Sequence, residues 1–134
     1  MALIIDTDVI IRGERGIFDL PAWLEKQADK NPQIAAITVA ELWHGVERAT
    51  GVYRSRREDY LQMIVDELPV VPYTETTALE HARIWAALES AGDMIGFYDL
   101  IVAATALEGG SAIATFNKRH FARVPRLKVI EPSL

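Results

Sequence analysis

There is no cysteine in the 134 residues. Disulfide staples, thiolate zinc sites, iron–sulfur clusters and cysteine nucleophiles are therefore excluded. No apolar run approaches the roughly 20 residues of a membrane-spanning helix. The opening MALIIDTDVII has no basic stretch ahead of its apolar residues and carries acids among them, so it does not read as a signal peptide. No membrane association is expected, and the expected location is the cytoplasm. Positive charge is also short: 14 Lys and Arg face 19 Asp and Glu, a net charge of −5. That argues against a protein that holds nucleic acid by bulk positive charge. It leaves open an enzyme that meets phosphates through bound cations. Linkers, repeats and low-complexity segments are missing too, so residues 1–134 read as a single domain.

Half of the residues are hydrophobic, and they fall into short runs. ALII at 2–5, IAAI at 34–37, LPVV at 68–71 and AIAT at 112–115 read as buried strands, with LKVI at 127–130 as a fifth. Helical segments are expected at 17–29, from Thr38 to about Ala49, at 53–67, from Thr77 to about Ser90, and at 97–108. Thr38-Val-Ala-Glu41 and Thr77-Ala-Leu-Glu80 have the spacing of capping boxes. FYDLIVAATALE at 97–108 is apolar on nearly every face, so burial is expected, and the five residues Trp23, Trp43, Trp85, Phe97 and Tyr98 are assigned mainly to the core. Strands alternating with helices predict an α/β fold: a three-layer α/β/α sandwich around a mainly parallel sheet.

In such sheets ligands bind beyond the carboxyl ends of the strands. Four polar groups gather there. Asp6 follows the first strand, Glu41 lies early in the helix after the second, Asp99 opens the apolar helix, and Asn117 follows the fourth strand. Each has a local alternative, as a cap or a partner of a helix dipole. Together they describe one pocket in which three carboxylates repel each other. A divalent cation relieves that repulsion, and oxygen-only ligands select Mg²⁺ or Mn²⁺.

The segments Ile4-Ile-Asp6-Thr-Asp-Val-Ile, Ile37-Thr-Val-Ala-Glu41-Leu, Ile95-Gly-Phe-Tyr-Asp99-Leu-Ile-Val-Ala-Ala-Thr-Ala and Ala114-Thr-Phe-Asn117-Lys-Arg-His-Phe carry a family resemblance across essentially the whole chain. The sequence resembles a PIN domain, and within that family the VapC-type toxin ribonucleases of type II toxin–antitoxin systems. The resemblance implies a Mg²⁺- or Mn²⁺-dependent endoribonuclease, a homodimer and a VapB-type antitoxin as partner. Asp6, Glu41 and Asp99 match the family's acidic positions. The fourth position is often aspartate, and here it is Asn117, which puts a second tightly held metal in question. On this reading Asp6, Asp99 and Glu41 hold metal, and Thr7, Thr38 and Thr115 hydrogen-bond ligands or phosphate. Arg12, Lys118 and Arg119 meet the RNA backbone. The basic and aromatic helix at 53–67, with Arg54, Arg56 and Arg57, is expected to accommodate RNA or an acidic part of the antitoxin.

Two other readings remain open. A PIN fold could persist as a catalytically inactive binding protein. Asp6-Thr-Asp8 also opens like a haloacid-dehalogenase phosphatase, although Lys118 is not followed by the acid pair that such a mechanism needs. Glu41-Leu-Trp-His44 has the spacing of a di-iron ligand pair without a second copy, so His44 is read as a partly buried helix residue.

Overall fold

A computed structural model describes all of residues 1–134. Five strands, β1 (Leu3–Ile5), β2 (Pro32–Ala35), β3 (Val70–Val71), β4 (Ala112–Ala114) and β5 (Val129–Ile130), form one sheet in the order β3-β2-β1-β4-β5. Every pairing is parallel, with Leu3 opposite both Pro32 and Ala112. Seven helices connect them: α1 (Thr7–Glu14), α2 (Leu20–Lys26), α3 (Ala36–Arg48), α4 (Gly51–Glu67), α5 (Glu75–Ser90), α6 (Phe97–Glu108) and α7 (Lys118–Phe121).

The two-residue period of a strand divides the interior into two layers. Leu3 and Ile5 of β1, Ile34 of β2, and Ala112 and Ala114 of β4 pack with Val9, Leu20, Leu42 and Leu61 from α1 to α4. Ile4, Ala35 and Ile113 point the other way, against Ile84, Leu100, Ala104 and Phe121 from α5 to α7. The sheet is covered on both faces, which is why its strands read as unbroken apolar runs.

Several boundaries differ from those expected. β2 ends at Ala35, and α3 starts at Ala36 with no side-chain cap. Thr38 is therefore inside the helix with its side chain fully buried, and Glu41 lies a turn further in. The second capping box is shifted by one helical turn. Thr74 caps α5 and exchanges hydrogen bonds with Thr77, while Glu80 binds Arg83 and Arg126. Burial alone would raise the Glu80 carboxyl, but hydrogen bonds and charge from those two arginines hold it below its usual range. The segment 17–29 contributes the shorter helix α2, capped by Asp19 at Ala22, and a single 3-10 turn at Ala28–Lys30. Two helices were not anticipated, α1 and the one-turn α7. Finally, α6 is buried only from Leu100 onward, because its first turn projects Phe97 and Tyr98 into solvent.

Candidate active site at the β1–β4 crevice

The strand order turns at β1: β2 and β3 lie to one side of it, and β4 and β5 to the other. In an open parallel sheet the connections leave such a point in opposite directions and open a crevice. Asp6 stands there, buried, as the cap of α1, with its Oδ1 accepting from the Thr7 amide at 2.8 Å. The Thr115 hydroxyl, one residue past β4, donates to Asp6 Oδ2 at 2.8 Å. The Thr115 Oγ1 also accepts from the Asn117 amide at 2.9 Å, so one side chain fixes both strand ends.

Around Asp6 stand three further carboxylates. Asp8, in the first turn of α1, accepts from the Phe116 amide at 3.2 Å. Glu41 accepts from the Thr7 hydroxyl at 2.8 Å, and that oxygen lies 3.1 Å from the buried Thr38 hydroxyl. Asp99, in the first turn of α6, is half-buried. All four are held above the usual carboxylate range. Burial pushes Asp6 up to about 8, assisted by the charges of Asp8 and Asp99. Asp8 rises through burial against the pull of Phe116, Thr115 and Arg12. Glu41 rises through burial and through the charges of Asp99 and Asp8, with the Thr7 hydrogen bond opposing. Asp99 rises through burial and the Asp8 charge, with His120 opposing.

None of these four acids takes part in any of the five ion pairs of the molecule. Four half-buried or buried carboxylates without a paired cation make an oxygen donor set of the kind that suits a hard divalent ion. No three acid or histidine side chains stand in a metal-ligating arrangement, however. Thr7, Thr115 and the Phe116 amide hold the oxygens of Asp6, Glu41 and Asp8 in hydrogen bonds. A shared ion requires some of these bonds to be exchanged.

The structure brings Asp6, Glu41, Asp99 and the three threonines to one place. Asn117 lies at its edge, its amide nitrogen 2.9 Å from His120 Nδ1. Lys118 and Arg119 begin α7 beside it, exposed to solvent. Arg12 lies with its guanidinium carbon 4.2 Å above the Phe116 ring. His44 is exposed rather than partly buried, so it has no part in the crevice. Sequence reasoning did not count Asp8 with the acidic set. Its signal was the Asp-x-Asp spacing, which on the first turn of a helix keeps both carboxylates near the same strand end.

The PIN domain family model matches residues 3–127. The chain is 33% identical over 132 residues to the ribonuclease VapC of Rickettsia bellii (strain RML369-C), covering 97% of this chain and 96% of that protein. It is 30% identical over 134 residues to ribonuclease VapC1 of Rickettsia felis (strain ATCC VR-1525 / URRWXCal2), covering 99% and 98%. Among solved structures, a chain of VapBC2 from Rickettsia felis, crystallised bound to a DNA fragment from their promoter, superposes with a TM-score of 0.91 at 22% identity over 99% of this chain and 100% of that one. With the parallel five-stranded sheet and the acids at its switch point, these likenesses show that the chain belongs to the PIN-domain family, in the group of the VapC ribonucleases.

Proposed function

We propose that the chain is a divalent-metal-dependent endoribonuclease, the toxin of a type II toxin–antitoxin pair. The observation that carries the metal dependence is the gathering of Asp6, Asp8, Glu41 and Asp99 at the β1–β4 crevice, none of them in an ion pair. An RNA phosphate cannot approach four carboxylates unless their charge is offset. A divalent ion would be held by Asp6 and Asp99, with Glu41 beside it. A bound Mg²⁺ or Mn²⁺ supplies the positive charge that neutralises the phosphate and makes a nearby water more acidic. Glu41, held by the Thr7 hydroxyl, would orient the attacking water and accept its proton. The water oxygen would bond to phosphorus as the opposite P–O bond breaks, and the leaving oxygen would take up a proton from solvent. Thr115 and Thr7 keep Asp6 and Glu41 in place.

The relatives' names support the ribonuclease reading, and the VapBC2 likeness supports a VapB-type antitoxin as partner. We also infer a homodimer. Trp85, Phe97 and Tyr98 are 40%, 68% and 58% exposed. Trp85 stacks on His81 with ring centroids 5.6 Å apart and meets Phe97 edge-on at 6.1 Å. This ordered aromatic face beside the crevice suits a second copy of the chain.

Purified protein incubated with RNA should cleave it with Mg²⁺ or Mn²⁺ and stop in EDTA. Asp99→Asn should abolish cleavage while leaving the circular dichroism spectrum unchanged. A variant with full metal-dependent activity would sink the assignment. A wild type inert with every divalent ion would favour the binding-only reading.

A further inference from the structure

The arginines of this acidic chain concentrate where α1, α3 and α4 meet, and the structure sorts them by partner. Arg57 Nε donates to Glu14 at 2.9 Å, with both side chains largely buried, so that pair holds α4 to α1. Arg54 pairs with Glu47 at 3.1 Å. Arg12, Arg15, Arg48 and Arg56 take part in none of the five ion pairs. Arg15 and Arg56 line a cleft of about 410 Å³ together with Glu14, Arg57, Tyr53 and Tyr60. A smaller cleft of about 240 Å³ shares Tyr53 and Arg57 and adds Arg48 and His44. Tyr53 is largely exposed. The Tyr60 hydroxyl is buried without a hydrogen-bond partner.

We propose that this cleft binds the RNA strand as it leaves the cleavage site, Arg15 and Arg56 meeting backbone phosphates and Tyr53 offering its ring to a base. The proposal rests on the ribonuclease reading above and extends it from the cut to the strand beside it. Its geometry follows α1. Asp8 lies in the first turn and Arg15 just past the last, about 10 Å away at 1.5 Å per residue. Arg12 and Arg15 are three residues apart and share a face of that helix. Arg12 already rests on Phe116, whose amide holds Asp8. A line of cations therefore leads from the carboxylates to the cleft. The carboxylates of an acidic peptide would meet the guanidinium groups but offer the exposed Tyr53 ring no flat partner of their own. A single RNA strand brings both a phosphate and a flat base to the same place.

The probe is a fluorescein-labelled single-stranded RNA, with Ca²⁺ in place of Mg²⁺ so that the strand stays intact, titrated by anisotropy at several salt concentrations. Losing two phosphate contacts on a single strand should flatten the log–log salt slope by about 1.4. Arg15→Ala with Arg56→Ala should show that change and bind on the order of tenfold more weakly. Tyr53→Leu should also bind on the order of tenfold more weakly, but with the wild-type slope, because stacking releases no counterions. The arginines are exposed and unpaired, so melting temperatures should not move. If wild type cleaves RNA and the double variant keeps both its affinity and its slope, the cleft proposal is overturned and the ribonuclease reading stands. If the variants lose affinity for a polyglutamate peptide but not for RNA, the cleft belongs to an acidic protein segment. If wild type neither binds nor cleaves RNA, both readings fall together.

Discussion

Asp6→Asn should make the metal-free protein more stable, and by an amount that grows with pH. Asp6 is 5% exposed, and its carboxyl titrates near 8 in the folded chain against 3.8 when solvated. Below about pH 4 both states keep the proton and nothing is lost. As pH rises further, the unfolded chain releases the proton and the folded chain retains it, so folding becomes progressively less favourable. The loss levels off once pH passes about 8, where both states are ionised. At about 1.4 kcal/mol per pH unit this sets a ceiling of about 6 kcal/mol. Water entry and relaxation around the charged form reduce that to an expected value of about 3 kcal/mol. For a chain of this size the corresponding shift is on the order of 10 °C in melting temperature. Asparagine retains an oxygen that can cap the Thr7 amide and removes the charge. The assay is a series of melts in EDTA between pH 5 and pH 9, followed by circular dichroism. Wild type should lose stability across this range, and Asp6→Asn should hold more of it, with the gap widest near pH 9. Saturating Mn²⁺ should restore the wild type at alkaline pH and do little for the variant. A wild type whose stability is flat or rising between pH 5 and pH 8 without metal would refute the reasoning. So would a variant that melts with the wild type at pH 9.

On the proposed reading, Asn117 at the edge of the crevice offers a neutral oxygen where the family resemblance often places an aspartate. Asn117→Asp should tighten Mn²⁺ binding in calorimetric titrations, and Asn117→Ala should cost less activity than Asp99→Asn. Two tight sites in the wild type would contradict this account of the fourth position. Phe97→Ala with Tyr98→Ala should shift the chain to monomer in sedimentation velocity without lowering its melting temperature, since both rings are mostly exposed. A variant that sediments as wild type would move the dimer contact elsewhere.

The sheet was readable because its strands are short apolar runs cut off by polar residues, as at Ile5-Asp6 and Ala114-Thr115. Helix α1 was not. Asp6-Thr-Asp8 is followed by Val9, Ile10 and Ile11, a β-branched run with low helix propensity. It is helical because Val9 and Ile10 bury completely beneath the sheet, which local preference does not register. Missing that helix also concealed Asp8, since only a helical first turn brings its carboxylate back to Phe116. Thr38 misled differently. Its Thr-x-x-Glu spacing fits a capping box, but the hydroxyl is used across the chain at Thr7. Trp85 and Phe97 were placed in the core by residue type alone. A helix apolar on several faces does not say which face its neighbours cover. Asp6, Glu41 and Asp99 were singled out by position rather than by local pattern: Asp6 directly after β1, Glu41 in the helix that follows β2, and Asp99 in the first turn of α6.

The hydroxyl of Thr115 reaches Asp6 across a sequence separation of 109 residues. With the Phe116 amide on Asp8, that link makes the crevice a test of whether the whole chain has closed. Helices such as α4 and α5 can form from near neighbours, but β4 must find β1 before the carboxylates have a common home, and such distant closure comes late and slowly in folding. For an enzyme of the proposed kind, a half-made or partly melted chain is inert rather than weakly active. Loosening the β4–α7–β5 edge should silence the molecule well before its helical signal declines. Activity is then all-or-none in the individual molecule, and a population under stress should fade in number of working copies, not in the vigour of each.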